Sequence, residues 1–301
     1  MAITASQVKE LREKTGVGMM ECKKALTEND GDLEKAVMWL RERGMSRAAK
    51  KAGRTTAEGM VQVYVNDAKT AGVALEINCE TDFVSKNTDF QEFAVAAAKV
   101  ALENNINDIE ALKEASLADG TQIAAKITSL ISTIGENINL RRVKVLSTDN
   151  GTVAGYTHMG GKIGSLILLE GASGDATSEL VQDLAMHAAA AAPRFLTRDE
   201  VPSSELDGEK ELARKKLLEA GKPEDLIDKI MAGQINKFYK EVCFIDQVFV
   251  KDSKYSIDKL IKEKAKGANL KAYCRFQLGE GIEKKSEDFA AEVAAVAGTP
   301  S

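Results

Sequence analysis

The residues able to do chemistry in this chain are few, and their spacing suits catalysis poorly. His158 and His187 are its two histidines, which leaves little choice of a general base near neutral pH. Cys22, Cys79, Cys243 and Cys274 lie far apart with no C-x-x-C pair. Four reduced, mostly buried thiols are therefore a better reading than a disulfide framework or a zinc site. The nearest thing to a phosphate loop is Gly155-Tyr156-Thr157-His158-Met159-Gly160-Gly161-Lys162-Ile163. Its lysine comes one position late for Gly155, and Ile163 stands where a magnesium-binding Ser or Thr belongs, so it is not a Walker motif. No G-x-S-x-G, H-E-x-x-H or paired-carboxylate constellation is recognisable. His158 is expected to be exposed in a hairpin turn, and His187 to be a satisfied core histidine in an Ala-rich helix. The pattern speaks against an enzyme with its own active site, and it calls for no cofactor or bound metal.

A different kind of candidate closes the apolar run Gly72-Val73-Ala74-Leu75-Glu76-Ile77, which reads as a buried strand. Thr81-Asp82-Phe83-Val84 follows it, on a short connection before a helix expected to open at Thr88. Such connections run over the surface and often carry function. An aromatic and an aliphatic residue beside a carboxylate are either a core plug or a wedge aimed at a partner. Composition favours the plug, because most Phe residues are buried.

At 301 residues, 44% hydrophobic and 29% charged, the chain suits two or more domains of ordinary soluble type. Its net charge of −5 is uneven: residues 1–54 hold 12 Lys and Arg against 8 Asp and Glu, and the remainder 29 against 38. An acidic body lacks the clustered cations that grip a phosphate backbone, so direct nucleic-acid binding is not expected. No apolar segment is long enough to span a bilayer, and the N-terminus lacks a signal-peptide core, starting a folded domain at once.

Thr4 and Gln7 form a capping box for a first helix bearing Val8 and Leu11. Gly16-Val17-Gly18 breaks it, a second helix begins near Met19, and a third carries Leu33, Ala36, Val37 and Leu40 before ending by Gly44. The loop between the first two holds Val17, Met19 and Met20, either core filler or a contact surface. These helices resemble ubiquitin-associated (UBA) three-helix domains. A basic linker, partly helical, follows over residues 46–56.

From residue 56 the pattern changes to strands and repeats. Gly59, Val61, Tyr64 and Gly72 recur as Gly151, Val153, Tyr156 and Gly164, each 92 positions on, and the Ala96–Ala98 segment recurs as Ala188–Ala190. Residues 137–146 and 270–278 alternate as returning strands. This predicts two related α+β subdomains side by side. A second T-x-x-Q box, Thr88 to Gln91, should start the first Ala-rich helix. Helices over 205–220 and 224–240, split by Gly221-Lys222-Pro223, form an antiparallel hairpin with a stripe of Leu226, Ile227, Ile230, Met231, Ile235 and Phe238. It is too slender for its own core and should protrude. Ser286 caps a last helix carrying Phe289, Val293 and Val296. The whole is a multidomain α+β chain: residues 1–54 as N-terminal unit and linker, 55–146 and 147–285 as core subdomains with a hairpin inserted at about 203–241, and 286–301 as C-terminal helix and tail.

Thr15-Gly16-Val17-Gly18-Met19-Met20-Glu21-Cys22-Lys23-Lys24-Ala25-Leu26 resembles the N-terminal signature of the bacterial elongation factor Ts family. Thr81-Asp82-Phe83-Val84-Ser85-Lys86 is similar to its second signature. Further matches are Ile134-Gly135-Glu136-Asn137-Ile138, Tyr156 through Gly164, Met186-His187 with Pro193, Arg275-Phe276, and Gly279 through Lys284. The family often has Gly-Ala-Arg where this chain has Met159-Gly160-Gly161-Lys162. The resemblance implies a cytoplasmic guanine-nucleotide exchange factor for elongation factor Tu, in its GDP-bound and nucleotide-free forms. Thr81, Asp82, Phe83 and Val84 would then intrude beside the partner's magnesium site, which reverses the compositional reading and makes Phe83 the wedge. Partner contacts are implied at Val17, Met19, Met20, Lys23, Lys51, His158 and Val296, and a dimer of the complex through the hairpin. Two rival readings remain: an adaptor for ubiquitin-like folds acting through residues 15–40, which leaves the duplicated body unused, and an enzyme of the inter-subdomain cleft, opposed by the dearth of acid and base candidates.

Overall fold

The computed structural model describes residues 3–283; Val296 and the expected last helix lie outside them. Three helices come first: α1 (Ala5–Thr15), α2 (Met19–Glu28) and α3 (Leu33–Lys51). The Thr4 hydroxyl accepts from the Gln7 amide while the Gln7 side chain accepts from the Thr4 amide, so the capping box forms as read. Leu11, Cys22, Ala25, Leu26 and Ala36 are fully buried between the helices.

The third helix does not end at Gly44. It runs on to Lys51 and takes up most of the expected linker. Gly44 is buried where α3 crosses α7 (Ile123–Ile134), and a Cβ there would meet Ser132 and Thr128 at ordinary contact distance. Burial of α3 against α7 there outweighs the poor helix propensity of a glycine.

The body holds β1 (Glu58–Val65), β2 (Ala71–Cys79), a one-turn helix α4 (Asp82–Ser85), α5 (Thr88–Glu103), α6 (Ile109–Glu114), α7 and β3 (Ile138–Ser147). It continues with β4 (Gly151–His158), β5 (Ile163–Glu170), α8 (Asp175–Ala191), α9 (Ser203–Glu219), α10 (Glu224–Val242), α11 (Ile257–Lys264) and β6 (Asn269–Gln277). Two antiparallel sheets result, ordered β1-β2-β3 and β4-β5-β6. Both expected returning strands are present, as β3 and β6.

The sequence repeat is a structural repeat. Val61 pairs with Glu76 in the first sheet, and Val153 with Leu168 in the second, each shifted by the same 92 positions. The irregularity between Glu76 and Ile77 recurs between Leu168 and Leu169. The sheets pack face to face through Ala74, Leu146, Val153, Leu166, Leu168 and Cys274. On the outer face of the first, Leu75, Ile77 and Leu140 meet Phe90, Phe93 and Ala97 of α5 and Leu130 of α7. On the outer face of the second, Ile167 and Leu169 meet Leu180 and Leu184 of α8 and Leu260 of α11. Helix, sheet, sheet and helix thus stack as four layers.

α5 opens at Thr88 as expected, but its cap differs from the T-x-x-Q reading. Its N-cap is Asn87, whose side-chain oxygen accepts from the Phe90 amide, while the Gln91 side chain donates to the Ser85 carbonyl. An Asn one residue upstream caps as well as the Thr-Gln pair would, and it frees Gln91 to brace the preceding turn. In the α9–α10 hairpin Ala213, Leu217 and Ile227 are buried, but Leu226 is exposed, so the stripe is only partly covered. Val201, Val242 and Cys243 close its root with Phe195 and Phe238.

Candidate partner-binding site

The apolar pair of the Thr81-Asp82-Phe83-Val84 turn is divided. Phe83 is 80% exposed, whereas Val84 is buried in the core beneath β2. Val84 is thus the plug, whereas the Phe83 ring projects from the surface. Val84 is consequently unavailable as a contact surface. The one-turn helix points the two neighbours in different directions, because side chains advance by about 100° per residue.

The base of the turn is tied down by a residue far away in sequence. One carboxylate oxygen of Glu136 accepts from the backbone amides of Glu80 (3.1 Å) and Thr81 (2.9 Å), and the other accepts from the Thr81 hydroxyl (2.6 Å). Glu136 occupies this place because Gly135, in the left-handed region, ends α7 just before it. The brace continues outward. Glu80 accepts from the Asn137 amide (2.6 Å) and pairs with Arg54 (3.4 Å), and the Asn137 side chain donates to the Arg54 carbonyl (3.1 Å). Through these bonds the end of α3 meets the start of the Phe83 turn.

Asp82 is exposed and pairs with Lys86 at 2.8 Å. That hydrogen-bonded ammonium, reinforced by the charge of Lys162, holds its carboxyl below the usual carboxylate range. Lys86 also stands 5.8 Å from the centre of the Phe83 ring. Lys162 belongs to the β4–β5 turn, whose Gly161 carbonyl accepts from Val61 of β1 (2.7 Å), so this turn and the Phe83 turn share one side of the body. His158 at the end of β4 is exposed, as expected, and its ring bonds the Tyr156 hydroxyl at 3.1 Å; Met159 beside it is exposed as well.

The remaining expected contacts divide in the same way. Met19 and Met20 are exposed, Met20 at 76%, and Lys23 is exposed on the next turn of α2. Val17 is not: it is buried among Val8, Leu11 and Cys22, and so is core filler. Lys51 is half-buried, and its ammonium bonds the Gly135 carbonyl at the end of α7. It is committed inside the chain, where a cation satisfies an orphan carbonyl at a helix terminus.

His187 is buried against Phe244 and Phe249, with Gln247 and the Val250 amide bonded to its two ring nitrogens. Burial pushes its pKa down, with the bond to Gln247 opposing. All four thiols are buried and unpaired, and burial pushes Cys79 and Cys274 up to about 12 and Cys243 to about 11. Such thiols are inert.

Comparison with known proteins decides what this arrangement belongs to. A family model described as "Elongation factor TS" matches residues 80–280, and one described as "Elongation factor Ts, mitochondrial, N-terminal" matches residues 1–53. The chain belongs to the elongation factor Ts family. Proteins named elongation factor Ts from Magnetococcus marinus and Syntrophotalea carbinolica are 50% and 51% identical to it, each alignment covering 98% of this chain and 99% of the relative. One from Clostridium novyi is 49% identical, over 97% of both. The family is one of translation elongation factors, and among the described residues no helix is long and apolar enough to cross a membrane. Glu136 stands in the Ile134–Ile138 motif that carries the resemblance, yet the sequence assigns it no role. It is a carboxylate directly after a helix-stopping glycine, and its partners lie 55 and 56 positions away.

Proposed function

We propose that this chain is the guanine-nucleotide exchange factor of elongation factor Tu, binding the GDP-bound GTPase and promoting GDP release without a reaction centre of its own. The observation that carries this is Phe83: a ring 80% exposed on a turn fixed at its base by Glu136 and beneath by Val84. A large apolar side chain held rigidly in solvent is an offer to a partner.

The mechanism follows from the metal and the phosphates in the partner. Magnesium demands near-ideal octahedral geometry, and bound GDP depends on it and on backbone donors around its phosphates. Phe83 pries apart the elements that carry those ligands, and Asp82 helps displace magnesium or its ligands. Weakening of GDP by the factor implies equal weakening of the factor by GDP, so exchange runs both ways. A thousand-fold weakening needs about 4 kcal/mol, and burying one Phe yields ~1.5–3 kcal/mol. The wedge therefore works only with a grip elsewhere, supplied by Met19, Met20 and Lys23 on a UBA-like unit of residues 1–54, by His158, and by Val296. The core divides into subdomains of 55–146 and 147–285, and the hairpin at about 203–241 is where a dimer of the complex would form. The site of action is the cytoplasm, with no direct contact to nucleic acid.

Stopped-flow release of labelled GDP from elongation factor Tu tests this. The Phe83→Ala variant should still form the complex but lose most of the acceleration. Unchanged release would overturn the role of Phe83.

A further inference from the structure

Thr81 is the N-cap of α4, yet its hydroxyl makes no capping bond to the turn. It is turned instead toward Glu136, at 2.6 Å, so the opening of the turn is closed by a side chain from another element. The amides of Glu80 and Thr81 point to the same carboxylate. Three donors thus converge on one anion at the base of the segment that carries the Phe83 ring. The neighbours of Glu136 extend the connection. Gly135 takes the Lys51 ammonium on its carbonyl, and Asn137 spans Glu80 and Arg54, so residues 51–54, 80–81 and 135–137 form one hydrogen-bonded junction.

We propose that Glu136 is a positioning residue for the Phe83 wedge, fixing the direction of the ring and linking the α1–α3 unit to it through this junction. The inference rests on the exchange reading above. Physically, a wedge transmits force only if its base resists tilting. A carboxylate that accepts three hydrogen bonds, two of them from consecutive backbone amides, removes the rotation that a one-turn helix would otherwise allow. Because α3 ends at the same junction, seating of α1–α3 on a partner also sets the angle at which the ring arrives. Glu136 touches no partner atom in this scheme and acts only through the turn.

The chemistry of the contacts supplies a discriminating pair of substitutions. Glu136→Gln keeps an oxygen for the two amides, and its NH2 group can donate to the Thr81 hydroxyl, which rotates to accept. Glu136→Ala removes every bond. In the full chain, the saturating rate of GDP release should fall at least about tenfold for Glu136→Ala, as misplacement of a positioned group by roughly 1 Å is enough for such losses. Glu136→Gln should restore most of that rate. The factor concentration giving half-maximal release should change much less than the rate. In a Phe83→Ala background the Glu136→Ala change should cost nothing further, since both act on one element. Independently of any partner, amide hydrogen exchange at Glu80 and Thr81 should quicken in Glu136→Ala and not in Glu136→Gln.

Additive losses in the double variant, or unchanged exchange at those two amides, would overturn the assignment. If Glu136→Ala fails to fold, Thr81→Val removes the hydroxyl arm alone and should lower the saturating rate with the global fold intact; an unchanged rate there counts against it equally. Loss with Phe83→Ala but not with Glu136→Ala defeats this inference alone, whereas no effect of Phe83→Ala defeats the exchange reading and this one with it.

Discussion

Glu76 is fully buried, and its carboxylate meets the Arg142 guanidinium at 2.5 Å from a neighbouring strand of the same sheet. Arg141 bonds it too, at 3.0 Å, and the Gly279 amide donates to it at 2.9 Å, so one anion joins the first sheet to the segment that follows β6. Burial pushes this carboxyl up, but the Gly279 amide and the two arginines together outweigh burial and hold it below the usual glutamate range. A depressed folded pKa gives stability that is present above the unfolded value of about 4.3 and is lost as pH falls through the folded value. Denaturant unfolding at pH 7 and at pH 3 should therefore show an acid loss that Glu76→Gln reduces. Glu76→Ala leaves two guanidiniums without their buried anion and should cost ~3–5 kcal/mol at neutral pH. Equal stability of wild type and Glu76→Ala at pH 7 would contradict the assignment.

The sequence repeat makes a paired prediction. A Cβ at Gly59 would collide with the Ile77 carbonyl oxygen, and one at Gly151 with the Leu169 carbonyl oxygen, the same collision 92 positions on. Gly59 has φ of 128°, which a residue with a side chain rarely adopts. Gly59→Ala and Gly151→Ala should each destabilise the chain by at least ~1–3 kcal/mol through overpacking. Thermal unfolding should show lowered midpoints for both. A neutral outcome at either position would break the equivalence of the two sheets.

Phe83 and Val84 should separate stability from function. Phe83→Ala removes a ring that is mostly in solvent, and its effect on unfolding free energy should stay within about 0.5 kcal/mol. Val84→Ala empties a buried site in the core under β2 and should cost ~1.5–3 kcal/mol. Chemical denaturation of the two variants side by side checks this, and a reversed order would mean that the ring, not the aliphatic residue, is the plug.

Much of this arrangement was readable because it is periodic. Strand alternation gave β3 and β6, the fixed spacing of Gly59 and Gly151 gave the repeat, and the Thr4–Gln7 pair gave the first cap. What periodicity cannot supply is the partner of a side chain distant in sequence. Gly44 reads as a helix stop until α7 is placed beside it, Lys51 reads as a free cation until the Gly135 carbonyl is found, and Val17 reads as a loop tip until the bundle closes over it. Glu136 is the extreme case: the motif around it is visible in the sequence, but its partners at Glu80 and Thr81 lie 56 and 55 positions away. The Phe83–Val84 pair was ambiguous for a simpler reason: a single turn of helix points two adjacent apolar residues in different directions, and composition cannot say which faces inward.

Grip and wedge should be separable by kinetics. Met20 is 76% exposed at the start of α2, with Lys23 one turn on, whereas Phe83 lies on the body of the molecule. If Met20 only helps to hold the partner, its loss removes binding energy that is equal before and during nucleotide release. Such uniform binding changes the concentration needed, not the maximal rate. Burying a Met side chain contributes ~1.5–3 kcal/mol, so Met20→Ala should raise the concentration for half-maximal GDP release about tenfold or more. The saturating rate should remain near that of the unaltered chain. Phe83→Ala should do the opposite, lowering the saturating rate with a smaller change in the concentration required. Titrating each variant against labelled GDP on elongation factor Tu measures both quantities at once. A fall in the saturating rate for Met20→Ala would place that residue in the wedge itself and would remove the division of labour between α2 and the turn at Phe83.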